Sequence, residues 1–543
     1  MTSKLPTPSK AVENFNKVVN VVTGNGHPMP VWRASLRTVA VTTAGVVAAV
    51  LIAGGISGCA DMSGIRPTAE LRDAPSLGLG APVSADEPST TSVSPQWWRA
   101  FGDESLDRLI DQALQASPSL KLAEARLARA RAVTEVADAA ALPQINGQLD
   151  ATRQRYTAHG AVPPPLAGTI LNSGTAQLSA SWELDFFGKN RAALDAALGS
   201  ANAAAADAQA ARVLLASNVA RTYFQLVRLN EQAQVARRTL AQREETLKLV
   251  QDRVRAGLDT RLELNQSEGG LPEARLQLET LHEQMALARN ALAALVGQPN
   301  SPVAQDLPAL AAIKNVAFEP VIPADLLGRR ADIAAARWRV EASGKDVANA
   351  KTQFYPNINL VAFAGFSSIG LGRLLDAGSQ QWGVGPALRL PIFDAGRLRA
   401  NLRGKTADLD AAVESYNAAV IDAVRDVADQ VASTQAIARQ QTEQRAAQRA
   451  AESAYDIAVQ RYKAGLGTYL NVLTAETSVL SQRRSAVDLA ARALDTQVAL
   501  MRSLGGGYQS ASTPTARDET QGAIKIIADR VGNTRAASSF DLK

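Results

Sequence analysis

The body of this chain is written twice. Arg253, Ala256, Gly257, Leu258, Thr260 and Leu262 recur in order as Arg461, Ala464, Gly465, Leu466, Thr468 and Leu470, at an offset of 208. Gly188, Arg191 and Ala192 recur as Gly396, Arg399 and Ala400 at the same offset. Pro143, Ile145 and Asn146 recur as Pro356, Ile358 and Asn359 at an offset of 213, so one loop differs by about five residues. Matches in one order mark a repeated structural unit. The copies span 96–300 and 326–507, joined by a connection over 301–325 within the proline-rich stretch Gly297–Pro323.

Each copy holds a very long helix. Residues 189–256 and 397–464 are each 68 positions without proline, and each has a single glycine, Gly199 or Gly404. At 1.5 Å per residue such a helix is about 100 Å long, roughly three times the hydrocarbon core of a bilayer. Arg, Glu, Asp and Gln on their faces exclude membrane spans. The helices must pack on other helices in water. Leu226, Leu229, Ala233, Ala236 and Leu240 keep a heptad rhythm, and so do Leu271, Ala274, Leu278, Leu281 and Met285 on the returning segment. That spacing implies left-handed coiled-coil packing. These apolar stripes hold the fold and carry no chemistry. A shorter helix near 103–140 precedes the first long one. Gly269, Gly270, Leu271 and Pro272 interrupt the returning helix, which predicts a kink or a restart with Pro272 near a new N1 position.

Between the helices the period changes to two. Residues 144–156 and 175–187 flank a loop at Thr157–Gly174, and 357–368 and 380–393 flank a glycine-rich loop at Ile369–Ser379. The hairpins therefore occupy 144–187 and 357–393. Ile145, Gly147, Leu149 and Ala151 alternate with Asn146, Gln148, Asp150 and Thr152. Alternation over about ten residues is the signature of a transmembrane strand. Tyr156, Trp182, Phe186, Phe187, Tyr355, Trp382 and Phe393 gather near strand ends, as an interfacial girdle requires. Two hairpins give four strands, too few to close a barrel, and an open edge has no partner in lipid. Several copies must close the barrel together. Twelve strands would leave a lumen, but the sequence alone does not choose twelve over sixteen.

The single cysteine, Cys59, excludes an intrachain disulfide. Its context is specific. Arg33 and Arg37 precede an apolar run over Val39–Ile56, followed by Ser57, Gly58 and Cys59. This is the order of a secretory signal, and Ile56-Ser57-Gly58-Cys59 resembles a bacterial lipobox. Residues 1–58 thus read as leader and signal peptide, with translation expected to begin at Met29, and Cys59 as the acylated first residue. Ala60 after the cysteine favours the outer membrane. Residues 59–95 read as a lipidated flexible linker, and 508–543 as a disordered tail.

Nothing points to catalysis. His27, His159 and His282 are scattered, no metal spacing occurs, and Gly505, Gly506 and Gly507 follow no strand and read as a helix stop. A net charge of +5 over 543 residues, without a dense basic cluster, gives no nucleic-acid surface.

Several motifs resemble one family. Trp97, Trp98, Phe101, Gly102, Asp103 and Leu106 resemble the opening motif of TolC-type outer-membrane factors, in particular the efflux lipoproteins among them. Trp182, Asp185, Phe186 and Gly188, and Pro391, Phe393, Asp394 and Gly396, resemble its strand-to-helix junctions. Arg461, Tyr462, Gly465, Thr468 and Leu470 resemble its periplasmic helix turn. The resemblance spans about 95–507. It implies a mainly α protein with a transmembrane β-barrel: a homotrimer with a 12-stranded outer-membrane barrel and a long helical periplasmic barrel, and no enzymatic site. The implied function is a passive duct of a tripartite, RND-type efflux pump for drugs or other toxic small molecules, with a type I protein-secretion channel as the alternative. The implied partners are a periplasmic adaptor protein, an inner-membrane pump and outer-membrane lipid. No cofactor is expected beyond the covalent lipid on Cys59.

The working residues are then expected at the helical turns. Gly257 and Gly465 fit a C′ position of positive φ, and Thr260 and Thr468 can cap the next helices. These turns are expected to meet the adaptor. By resemblance Leu470 lies at an apolar ring that narrows the aperture, with Leu262 near it and Asp259 and Glu263 adding negative charge. Two departures stand out: Thr474 replaces an aspartate of many relatives, and Ala331 replaces a proline after Arg330.

Overall fold

The computed structural model describes residues 62–72, 93–299, 306–316 and 329–508. Cys59, the signal region, most of the linker and connection, and the tail beyond 508 lie outside them. The chain divides into two units, Met1–Ser63 with Pro391–Phe393, and Gly64–Leu390 with Asp394–Lys543. Of the first, the short piece at 391–393 exposes Ile392 and Phe393. The helices and strands of the fold belong to the second.

In chain order its elements are α1 (Glu104–Ala116), α2 (Pro118–Ala139), β1 (Gln144–Arg155), β2 (Ile170–Glu183), α3 (Lys189–Arg255), α4 (Arg261–Val296), α5 (Ala331–Thr352), β3 (Asn357–Ile369), β4 (Gln380–Arg389), α6 (Arg397–Lys463) and α7 (Tyr469–Ser503). α3 and α6 are 67 residues each, about 100 Å. α2 and α5 pack along one part of α3, and α4 and α7 along another. Among the described residues no helix is long and apolar enough to cross a membrane.

Three expectations are corrected. The helix near 103–140 is two helices, because Pro118 pushes Ser117 into extended backbone (φ −61, ψ 125) and opens α2. The second strand begins at Ile170, inside the expected loop, because Ile170–Gly174 pairs with Ala151–Arg155. The returning helix does not restart at Pro272. α4 runs unbroken from Arg261 to Val296 with the proline inside. Tertiary contact overrides the local break. Arg243 of α3 donates to the Gly270 carbonyl at 2.7 Å and to Glu273 Oε2 at 3.0 Å, while its Nε donates to Glu476 of α7 at 3.0 Å.

The main core lies where a short 3-10 turn, Trp97–Phe101, and α1 fold onto the middle of α3. Trp97, Trp98, Phe101 and Phe224 meet edge to face, with centroids 5.1–6.3 Å apart. Asp103 ties this corner together. It accepts from the amides of Ser105 and Leu106, capping α1, and from the Tyr223 hydroxyl at 2.6 Å. α7 ends at Gly505, Gly506 and Gly507, all with positive φ. A Cβ on these glycines would strike the Arg329 carbonyl, the Val213 side chain and the Pro95 backbone in turn, at 2.0–2.5 Å. The helix stop read in the sequence is thus also a seam, joining the end of the second copy to both copies' beginnings.

Residues 64–72 have neither helix nor strand, but they are held rather than free. The amides of Thr68 and Ala69 and the Thr68 hydroxyl donate to the Asp410 carboxylate at 2.9–3.0 Å. Asn417, buried on the same face of α6, accepts from the Arg72 amide and donates to the Glu70 carbonyl.

Candidate functional site

The four strands form one antiparallel sheet in the order β1-β2-β3-β4. Helices enter and leave it at one end, and the loops at 156–169 and 370–379 lie at the other. Register decides which residues share a face. Ile145 pairs with Ala180, Leu149 with Ala176, Leu178 with Ala364, Ala362 with Val384 and Ile358 with Leu388. This face is apolar and exposed, with Leu149 78% and Trp382 78% accessible. The opposite face carries Asn146, Gln148, Asp150, Gln177, Ser179, Ser181 and Asn359. A sheet largely apolar on one side and mostly polar on the other, where Val361 and Phe363 also lie, with no α-helix or second sheet covering the apolar side among the described residues, suits lipid outside and water inside. Trp182, Phe187 and Tyr355 mark the helix end of the strands and Trp382 the loop end; Phe187 and Tyr355 stack at 5.0 Å. Pro386 sits in β4, a strand with one open edge, where a missing amide is tolerated.

At the far end of the long helices lie the two turns. Gly257 (φ 73) and Gly465 (φ 74) each follow a helix as its C′ residue. The amides of Leu258 and Gly257 donate to the carbonyls of Arg253 and Val254, and those of Leu466 and Gly465 to Arg461 and Tyr462. Both are Schellman closures. The restarts differ. Thr260 and Glu263 form a capping box on α4: Thr260 Oγ1 accepts from the Leu262 amide at 3.1 Å, and Glu263 accepts from the Thr260 amide at 2.9 Å. Thr468 makes no side-chain cap, and Asn471 stands where Glu263 does in the first copy, so the reciprocal half of the box is missing as well. Leu258, Leu262, Leu466 and Leu470 all stand exposed at this end. Thr474 Oγ1 donates back to the Leu470 carbonyl at 2.9 Å, so it turns onto its own helix and adds no charge.

Asp259 is not an open carboxylate. Arg253 holds it through Nε at 2.9 Å and Nη2 at 3.3 Å, and the Tyr462 hydroxyl donates to it as well. Arg253 lies 4.6 Å over the Tyr462 ring and donates to the Tyr462 carbonyl at 3.1 Å. Asp259 is therefore neutralised within the protomer, whereas Glu263, folded back onto the Thr260 cap, has no ion-pair partner among the described residues. Burial pushes the Asp259 carboxyl up, but hydrogen bonds from Arg253 and Tyr462 and the Arg253 charge outweigh it and hold it below the usual range. Sequence reading missed Arg253 and Tyr462 as a pair. Both stand in the duplicated turn motif, yet the first copy supplies the arginine and acid and the second the tyrosine, so repetition concealed the link. Tyr455, Tyr462, Tyr469 and Val472 form the small core behind this knot.

A four-stranded sheet with an uncovered apolar face and two open edges, set directly on polar helices of this length, defines an outer-membrane channel subunit. The chain belongs to the outer membrane efflux protein family, whose sequence profile matches residues 109–298 and 322–506. Members are outer-membrane channels, and this chain is an outer-membrane protein. It is 37% identical over 366 residues, 66% of this chain and 69% of the relative, to the fusaric acid resistance protein FusA of Burkholderia cepacia. It is 33% identical to the pyoverdine export outer membrane protein OpmQ of Pseudomonas aeruginosa, over 81% of this chain and 94% of that one. The solved structure of the outer membrane protein VceC from Vibrio cholerae superposes with a TM-score of 0.72 at 37% identity, covering 77% of this chain and all of that one.

Proposed function

We propose that three copies of this chain close a 12-stranded barrel in the outer membrane and continue it as a helical duct, which exports toxic small molecules for a tripartite, RND-type pump. The observation that carries this is the sheet: β1 and β4 each leave one edge unpaired, which lipid does not tolerate. Trimeric closure joins the two edges. Cys59, acylated, anchors each copy. The turns at Gly257, Thr260, Gly465 and Thr468 meet a periplasmic adaptor, and Leu262 and Leu470 line the aperture with Glu263 beside them. Similarity to a pyoverdine exporter and a fusaric acid resistance protein favours small molecules over a secreted protein as cargo.

Deleting the gene and restoring it in trans tests the cargo. Raised sensitivity to several unrelated antibiotics, dyes and detergents, rescued by the chain, is expected. Unchanged sensitivity with loss of one secreted protein would instead establish the secretion channel. Light scattering of the purified protein in detergent should give three protomers; a monomer or dimer would defeat the barrel.

A further inference from the structure

On the apolar face of the sheet, charge occurs at two positions only among the described strands, Arg153 and Arg155. Both lie at the loop end of β1. Register pairs Arg153 with Asn172 and Arg155 with Ile170, so both share the face of Ile145, Leu149 and Ala151. They are exposed, and neither has an ion-pair partner among the described residues. Asp150, the acid of β1, points to the other face and accepts from Gln148. The helix end of the same face has no charge; it ends in Ile145, Trp182, Ile358 and Leu388. The asymmetry is therefore specific to one leaflet.

Height agrees. At about 3.3 Å per residue and a tilt near 40°, Arg153 and Arg155 lie roughly 20–25 Å above Ile145, the top of an apolar band about 25 Å tall. The loop after β3 adds to this rim. A Cβ on Gly174 would meet Leu371 at 2.8 Å and Leu374 at 3.2 Å, so both leucines fold over the apolar face just below the arginines. Arg373 lies exposed in the same turn. Apolar side chains at acyl depth beneath arginines at headgroup depth suit an anionic lipid whose charge is carried by phosphate, since the guanidinium fork matches phosphate oxygens.

We propose that Arg153 and Arg155, with Arg373 and the Leu371–Leu374 ledge, form a binding site for the phosphorylated, acylated glycolipid of the outer leaflet. The site rests on the barrel reading above, because only there does this face meet lipid. It gives each protomer a fixed contact with the leaflet opposite its own acyl anchor.

Native mass spectrometry of the purified full chain, incubated with bisphosphorylated lipid A or with phosphatidylglycerol, tests this. The unaltered protein should retain lipid A in preference to phosphatidylglycerol. Arg153→Gln with Arg155→Gln should lower lipid A retention roughly tenfold or more, with assembly mass and melting temperature unchanged, while the double Lys variant keeps part of it. Equal retention by the Gln variant overturns the site. So does equal retention of both lipids, which would mean plain charge attraction, and so does loss of assembly in the Gln variant, which would mean that the arginines pair across protomers. A chain that fails to partition into outer membranes would sink the barrel reading itself; one that partitions normally but shows no lipid A dependence sinks this inference alone.

Discussion

At neutral pH Asp259 directs its charge at Arg253 and not at solvent. Because its folded pKa is depressed, the knot contributes stability above the unfolded value of about 3.9 and loses it as pH falls through the folded value. Amide protection factors over 253–262, corrected for the pH dependence of intrinsic exchange, should therefore be flat from pH 8 to 5 and fall only below about 4. Asp259→Asn should exchange faster at pH 7 and lose most of that dependence. Tyr462→Phe removes one donor and should cost on the order of 1–2 kcal/mol locally; unchanged exchange in both variants would show that the turns are held by packing. Asp410 makes a second test. Amides of Ala69 and Thr68 hold its carboxyl below the usual range, so it stays a charged acceptor at neutral pH. Asp410→Ala with Asn417→Ala should speed tryptic cleavage after Arg72, whose amide Asn417 holds, without moving the melting temperature. The turn glycines were legible in the sequence because φ near +75° restricts residue choice. The partner of Asp259 was not legible, because it comes from the other hairpin.

Helices and strands were legible for a related reason. Period and the absence of proline are local properties, and both long helices begin at Lys189 and Arg397 and end at Arg255 and Lys463, 67 residues each. Local reading failed where tertiary contact decided, at Gly269–Pro272. Pro272 cannot bond the Glu268 carbonyl, yet Arg243 draws this turn of α4 onto α3 and α7. Arg243 and Glu476 are largely buried, with 14% and 11% of their side chains exposed. Removing one partner of such a pair costs about 3–5 kcal/mol, whereas replacing both with apolar groups is often neutral. Arg243→Met should therefore deprotect the amides of 262–275 by about two orders of magnitude. Adding Glu476→Leu should restore most of that protection. Glu273→Ala, at a side chain 73% exposed, should change stability by about 1 kcal/mol or less. Equal effects from Arg243→Met and Glu273→Ala would show that the helix bridges its proline unaided.

At the scale of the molecule, the seam at Gly505–Gly507 has a consequence for gene architecture. Gly507 lies against Pro95, so the first and last residues of the duplicated body are neighbours. Joined there and opened between the copies, the chain would keep every helix and strand and would merely present the second copy first. Such a circular permutant should still assemble and conduct. On this prediction the copies are interchangeable in reading order for folding, and only the arm at 64–72, held by Asp410 and Asn417 of the second copy, gives the protein a front and a back.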